Sequence, residues 1–370
     1  MTASTGDKIR VGLIGVGGWA RYGHIPALKS LNDQYTITAV SSRKLSTARE
    51  LARTFDIPFS FQDPRELIAH PEVDLVAVLP PAPEHGALSR MAIATGKDVY
   101  SEWPLTTSTK ESEDLLSLAE TASVKHLVGL QRRAGESARY LKDLLASNYI
   151  GQLRSVRMHV SMDYFGPVRP PALQWTLPAA NFSHILSIYG GHFFDLLFHI
   201  AGAPSTVNGI LASQFPRLIL SETGESFPNE NPDAVVAQGR LLNGALYTAQ
   251  IEGGKNNNSG LQIDFTGTDG DLRVTNEKLY GNSLDNQIMG AQGSGKTLEV
   301  LPVPEEYKLP AASSLDASVQ DLLYLYAAHA ESNGSGRSNA PGFVEAVRAH
   351  RFIDAIARSS DSDQTQSVDW

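Results

Sequence analysis

The chain has 370 residues, 42% hydrophobic and 19% charged, with a formal net charge of −9. That length accommodates two domains with sizeable cores, and the acidic balance argues against a nucleic-acid or anionic-membrane surface. Cysteine is absent, which excludes disulfides, thiolate metal sites and cysteine nucleophiles and fits a reducing compartment. The polar start MTASTGDK has no apolar leader core, and no apolar run reaches membrane-spanning length, so a cytoplasmic protein is expected.

The first predicted element is a strand through Ile9, Val11, Leu13 and Ile14. It breaks into Gly15-Val16-Gly17-Gly18-Trp19-Ala20 and then a helix over 19–31. In a strand–turn–helix of this kind Gly15 turns the chain, Gly17 lets a pyrophosphate approach the backbone, and Ala20 permits close helix–strand packing. The pyrophosphate would rest on free N–H groups at the positive helix end. A second strand, 36–40, ends in Ser41-Ser42-Arg43-Lys44. An NAD site carries an acidic residue there for the ribose 2′-hydroxyl. Two hydroxyls and two cations stand in its place, which suits a 2′-phosphate with Arg43 as bidentate partner. NADP is therefore the expected cofactor, with NAD possible; the plain alternative is a solvated turn.

Helices at 45–54 and 63–69 flank a short strand at 58–61. A continuous apolar strand at 73–79 runs into Pro80-Pro81-Ala82-Pro83-Glu84-His85 and a helix at 86–95. A strand at 98–100 delivers Ser101-Glu102-Trp103-Pro104, then come a helix at 108–123, a strand at 127–130, and Gln131. This alternation predicts an α/β Rossmann domain, 1–130, with a doubly wound parallel sheet that binds ligands beyond the carboxyl ends of its strands. The cofactor contacts expected there are Gly15, Gly17, Gly18, Trp19, Ala20, Ser41, Ser42, Arg43, Leu79, Pro80, His85, Glu102 and Gln131.

Beyond residue 130 the pattern changes. A helix at 136–147 and a strand at 153–162 precede an irregular aromatic and proline-rich stretch, 163–181, and an apolar helix at 188–201. Strand-like runs follow at 207–213, 234–242, 245–252, 261–267 and 271–275, with Asn243-Gly244 and Thr268-Asp269-Gly270 as turn signals. Residues 131–370 thus read as an α+β domain with a large, mainly antiparallel sheet, for substrate and oligomerisation. It closes with helices at 315–328 and 342–357, and a polar tail, 359–370, is expected to be mobile. Tyr164, Arg169, Trp175 and Tyr189 in and after the irregular stretch are candidate substrate contacts; that stretch could equally meet another subunit.

Several motifs together resemble the glucose–fructose oxidoreductase and inositol dehydrogenase (Gfo/Idh/MocA) family. They are VGLIGVGGWA, His24-Ile25-Pro26, Val73-Asp74-Leu75-Val76-Ala77-Val78, His85, Gly96-Lys97-Asp98-Val99, Glu102-x-Pro104, Gly190-x-His192-x-x-Asp195, and the run 263–272. The resemblance implies an NAD(P)-dependent oxidoreductase acting on sugars, cyclitols or their relatives, as a homodimer or homotetramer. It also exposes two departures. The family's Glu-Lys-Pro lysine is Trp103 here, and its aspartate four residues before the catalytic histidine is Ile188. Glu-Trp at this place resembles the branch of the fungal galactose-pathway repressor, a regulator that binds dinucleotide and a protein partner.

Oxidising a carbinol needs a hydride acceptor and a group to take the hydroxyl proton. His192 remains for that proton, since an imidazole ordinarily titrates at about 6.5. Trp103 offers an apolar face and one N–H, suiting an aromatic or apolar substrate or an imine. Asp195 is expected to orient His192 or cap a neighbour. His192, Asp195 and His199 share a helix face, but no metal is assigned for want of further ligands nearby. Gly290-Ala291-Gln292-Gly293-Ser294-Gly295-Lys296-Thr297 fits the phosphate-loop pattern letter for letter. It lacks a buried strand before and a helix after, so it reads as a flexible loop that does not bind ATP.

Overall fold

The computed structural model describes residues 8–257, 259–277, 285–335 and 340–370, without the side chains of 172 and 332–335. Most of the polar N-terminal stretch therefore lies outside the described residues. Two compact units form. One comprises Met1–Thr106, Lys110–Gln131 and Leu309–Ala346, the other Thr107–Thr109, Arg132–Lys308 and Val347–Trp370.

In the first unit six parallel strands, β1 (Ile9–Ile14), β2 (Tyr35–Ser41), β3 (Phe59–Phe61), β4 (Leu75–Val78), β5 (Asp98–Ser101) and β6 (His126–Val128), run in the order β3-β2-β1-β4-β5-β6. Every residue of β4 is buried, as a strand covered on both faces requires. The helices between them are α1 (Ile25–Ser30), α2 (Leu45–Phe55), α3 (Pro64–Ile68), α4 (His85–Ala94) and α5 (Thr109–Ala122). The helix expected from Trp19 opens instead as a π-helical turn, Ala20–His24, before α1. The α3 start is where the sequence signals it: the Asp63 carboxylate accepts the Arg65 N–H at 2.9 Å and Pro64 follows. The chain leaves β1 and β2 on one side of the sheet and β4 on the other, so the switch point lies between β1 and β4.

The second unit holds α6 (Glu136–Ala146), α7 (Gly191–Ala201) and a nine-stranded sheet. Its strands are β7 (Leu153–Ser161), β9 (Thr206–Ala212), β12 (Ala234–Arg240), β13 (Leu246–Glu252), β14 (Gly260–Gly267), β15 (Gly270–Asn276), β16 (Gln287–Gln292), β17 (Glu299–Val300) and β18 (Gln366–Ser367). Their order is β17-β16-β15-β14-β7-β13-β12-β9-β18, parallel only between β7 and β13. Strict alternation along β14 buries Leu261, Ile263 and Phe265 on one face. A small third sheet joins β8 (Val168–Arg169), β10 (Arg217–Leu220) and β11 (Ser226–Pro228) in the order β11-β10-β8. Helix α7, apolar nearly all round, is buried nearly all round.

Three expectations need correction. Residues 309–346, read as part of the second domain, pack with the first unit. There α8 (Ala317–Ser335) brings Tyr326 to His24 and His329 to Tyr35, each at 2.8 Å, a pairing across some 300 residues that no local pattern announces. The tail is docked, not loose. Helix α9 (Phe343–Ser362) carries on into it, Gln366–Ser367 pairs with β9, and the Trp370 ring packs 5.0 Å from Phe198. A tryptophan anchor and two ladder residues hold what polar composition suggested was free. Finally, the first three residues of GAQGSGKT belong to strand β16, not loop, and the chain reaches β17 at Glu299 without a helix between. The strand expected to be missing is present, and the helix that a phosphate loop needs is not.

Candidate functional site

A pocket of about 310 Å³ opens where β1, β2 and β4 end, within the first unit. Gly15 sits at φ +89°, a conformation that favours glycine, and a Cβ there would come within 2.7 Å of the Pro80 nitrogen. Its N–H donates to the Ser41 carbonyl at 3.0 Å, tying the loop to the end of β2. Around Gly17 and Gly18, by contrast, an added Cβ would meet no atom within 4 Å. The turn is rigid at one glycine and open at the next two, which leaves room for a ligand against the backbone. Ala20 is buried behind it.

Of the expected cofactor contacts, Gly15, Gly17, Ser41, Ser42, Arg43, Leu79 and Pro80 all line this pocket. Gln62, Pro81 and Glu84 line it too and were not anticipated, since they belong to loops whose positions follow from the sheet order. Gln131, just past β6, has a buried Oε1 with no hydrogen-bond partner among the described residues. An open glycine cradle and an orphaned acceptor together fit a dinucleotide.

Three further expected contacts, His85, Glu102 and Trp19, make hydrogen bonds within the chain. His85 is buried, and both its ring nitrogens face carbonyl oxygens, Pro80 at 2.6 Å and Pro104 at 2.7 Å. A neutral imidazole donates only once, and only the imidazolium would satisfy both. Burial pushes its pKa down, against the pull of those carbonyls. His85 pins two loops and leaves no nitrogen for a ligand. Glu102 Oε1 accepts from Trp19 Nε1 at 2.9 Å, His24 Nε2 at 2.6 Å and the Tyr100 hydroxyl at 3.0 Å. Burial alone would raise its pKa, but the bonds from His24, Trp19 and Tyr100 outweigh it and hold the carboxyl below its ordinary value. The other ring nitrogen of His24, Nδ1, lies 2.8 Å from the Tyr326 hydroxyl. Trp19 and Glu102, expected on the cofactor, bond one another inside this network, and Gly129 is required beside it, since a Cβ would lie 2.6 Å from Glu102 Oε2. Trp103 is only 5% exposed.

In the second unit His192 is half-buried in the first turn of α7. Asp195, expected to serve it, takes a bidentate ion pair from Arg133, through Nε at 2.8 Å and through Nη2. Arg133 follows the strand-end segment and went unnoticed because its partner is 62 residues away. His199 lies 3.3 Å from Lys142, and burial with the charges of Arg133 and Lys142 pushes its pKa to about 3. Among the described residues no group of three metal-ligating side chains assembles. Tyr164, Arg169 and Tyr189 do come together around Phe165: the Arg169 guanidinium lies 4.7 Å from that ring, and Tyr189 meets it edge-on at 5.5 Å. Trp175 is on a separate 3₁₀ turn, its carbonyl bonded by Asn181, and no contact to that cluster is seen among the described residues.

Residues 9–130 match the family model described as "Oxidoreductase family, NAD-binding Rossmann fold", and residues 137–276 match "Gal80p, C-terminal domain". The chain is similar to the dehydrogenase aclE of Aspergillus oryzae, 26% identical with 97% of this chain and 98% of that protein covered. It is also similar to the galactose/lactose metabolism regulatory protein GAL80 of Saccharomyces cerevisiae, 24% identical over 88% of this chain and 79% of that one. Among solved structures, levoglucosan dehydrogenase in complex with NADH and L-sorbose superposes with a TM-score of 0.87 at 20% identity, covering 98% of this chain and 99% of that chain. A super-repressor mutant of Gal80p from Saccharomyces cerevisiae gives 0.84 at 22%, with 97% of both chains covered. Residues 9–130 thus match an NAD-binding Rossmann domain of the oxidoreductase family, and residues 137–276 match a domain of the Gal80p type.

Proposed function

We propose that this protein is an NADP-dependent oxidoreductase that transfers hydride to or from a carbonyl, alcohol or imine of a sugar-like, cyclic or aromatic small molecule. The observation that carries the reading is the composition of the pocket where β2 ends. Ser41, Ser42 and Arg43 line it, and that strand end offers no carboxylate for a ribose 2′-hydroxyl. Bound there, the cofactor supplies the hydride chemistry. Gly17 and Gly18 admit its pyrophosphate, Arg43 pairs with the 2′-phosphate, and Gln131 presents the unpartnered acceptor. His192 takes or returns the substrate proton, the work that the resemblance to the Gfo/Idh/MocA family assigns jointly to a lysine, whose place Trp103 takes here. The protein acts in the cytoplasm as a homodimer or homotetramer, a state that sedimentation would read.

A second reading, a dinucleotide-dependent regulator that holds a partner protein, is favoured by the Gal80p-type match over 137–276 and by Trp103 and Ile188. A turnover screen with NADP(H) against sugars, cyclitols, aromatic ketones and cyclic imines separates the two. The enzyme predicts activity that His192→Ala lowers roughly 10²-fold with NADP affinity kept. No turnover of any compound, with a partner protein retained only when NADP is present, would overturn it.

A further inference from the structure

The second unit contains a buried cation that the protein leaves without a hydrogen bond at its Nε. Arg169, on β8, is 5% exposed, and its Nε has no hydrogen-bond partner among the described residues. Burial pushes its pKa down to about 10, although Tyr164, Asp233 and Tyr189 pull the other way. Desolvating a guanidinium costs free energy unless hydrogen bonds replace the water it loses.

The nearby carboxylate does not supply them. Asp233 is itself buried, its Oδ2 accepts the N–H groups of Gln214 at 2.8 Å and Phe215 at 2.9 Å, and its Oδ1 has no partner among the described residues. So its field reaches Arg169 while its hydrogen bonds go elsewhere. The contact Arg169 does make is with the Phe165 ring, 4.7 Å away. Phe165 and Tyr189 are buried beside it, and Tyr164, 37% exposed, stands at the surface side of the cluster.

We propose that Arg169, walled by Tyr164, Phe165 and Tyr189, is a binding site for the carboxylate of an organic monoanion. A guanidinium presents paired donors that match a carboxylate bidentately, and the rings accept an apolar or aromatic body beside it. The Asp233 charge chooses between anions. One negative charge neutralises Arg169, whereas a phosphate dianion would add a further charge beside a buried carboxylate. Because the site names the chemistry of the substrate, it rests on the reading of a small-molecule oxidoreductase.

The test measures binding without turnover, so the two fail separately. Full-length protein is titrated calorimetrically with benzoate, with benzamide as the neutral isostere, and with inorganic phosphate. Benzoate should bind at least ten-fold more tightly than benzamide or phosphate. Arg169→Met should lose that preference and Arg169→Lys should keep part of it, with NADP affinity unchanged in both as a check on folding. Equal binding of benzoate and benzamide, preference for phosphate, or benzoate binding undiminished in folded Arg169→Met would overturn the inference. The wild-type comparison alone decides it if the variants do not fold. Benzoate binding in a protein that turns nothing over supports the carboxylate site and removes the oxidoreductase reading instead.

Discussion

Glu102 in the first unit, half-buried, and Arg169 in the second, buried, are both desolvated charges, and the protein treats them in opposite ways. Glu102 receives three donors on one oxygen, and its carboxyl is held below its ordinary pKa. Arg169 receives nothing at Nε, stacks on a phenyl ring, and falls to about 10. The difference teaches how to sort buried charge. A group whose hydrogen bonds are completed by its own chain holds the fold together, and one left incomplete at a desolvation cost is available to a ligand.

Removing Glu102 should break its side of the comparison hardest. Glu102→Leu takes the shared acceptor from the buried His24 and the half-buried Trp19 and should cost about 3–5 kcal/mol in chemical denaturation. The pH dependence has a definite sign. Since the folded-state pKa lies below the ordinary value of 4.5, the stabilisation is complete above that value and is lost as pH falls through the folded-state one. Glu102→Gln should therefore flatten the acid limb of the stability profile. An unchanged acid limb would show that the network contributes nothing.

Arg133 asks whether pairing or domain matters. It lies in the second unit with Arg169 but is paired to Asp195. Arg133→Met should destabilise by about 3 kcal/mol, because it takes the bidentate cation from a buried carboxylate. Arg43 tests the exposed edge of the pocket. Arg43→Ala should weaken NADP roughly ten-fold or more, as loss of a charge-assisted bond does, with NAD affinity and melting temperature unmoved. Equal NADP affinity in the two proteins would remove the proposed phosphate contact.

Arg169→Met should change unliganded stability by less than about 1 kcal/mol, or raise it, since it exchanges an incompletely bonded desolvated charge for an apolar chain of similar length. A loss as large as that of Arg133→Met would mean that Arg169 is structural and would erase the contrast. The smallest effect belongs to Lys296, exposed in the turn after β16. Lys296→Ala should leave both stability and nucleotide binding unaltered. ATP binding that vanishes in this variant would restore the phosphate loop.

What the sequence alone determined is whatever depends on neighbours in the chain. The apolar run of β1, its glycine break and the hydroxyl-and-cation end of β2 place a dinucleotide pocket because strand, turn and helix signals act over a few residues. The alternation along β14 and the turns at Asn243-Gly244 and Thr268-Asp269-Gly270 are legible for the same reason. Tertiary structure decided everything that depends on distant partners. His24 and Tyr326 meet Glu102's surroundings from 78 and 302 residues apart in their bonds, which builds a hydrogen-bond network around that carboxylate. The same holds for α8 joining the first unit, for Trp370 fastening the tail against Phe198, and for Asp195 answering to Arg133. Residue type shows that a charge is present. Only the packed chain determines which donors and acceptors reach it, because a hydrogen bond forms over about 3 Å of space however many residues of chain lie between.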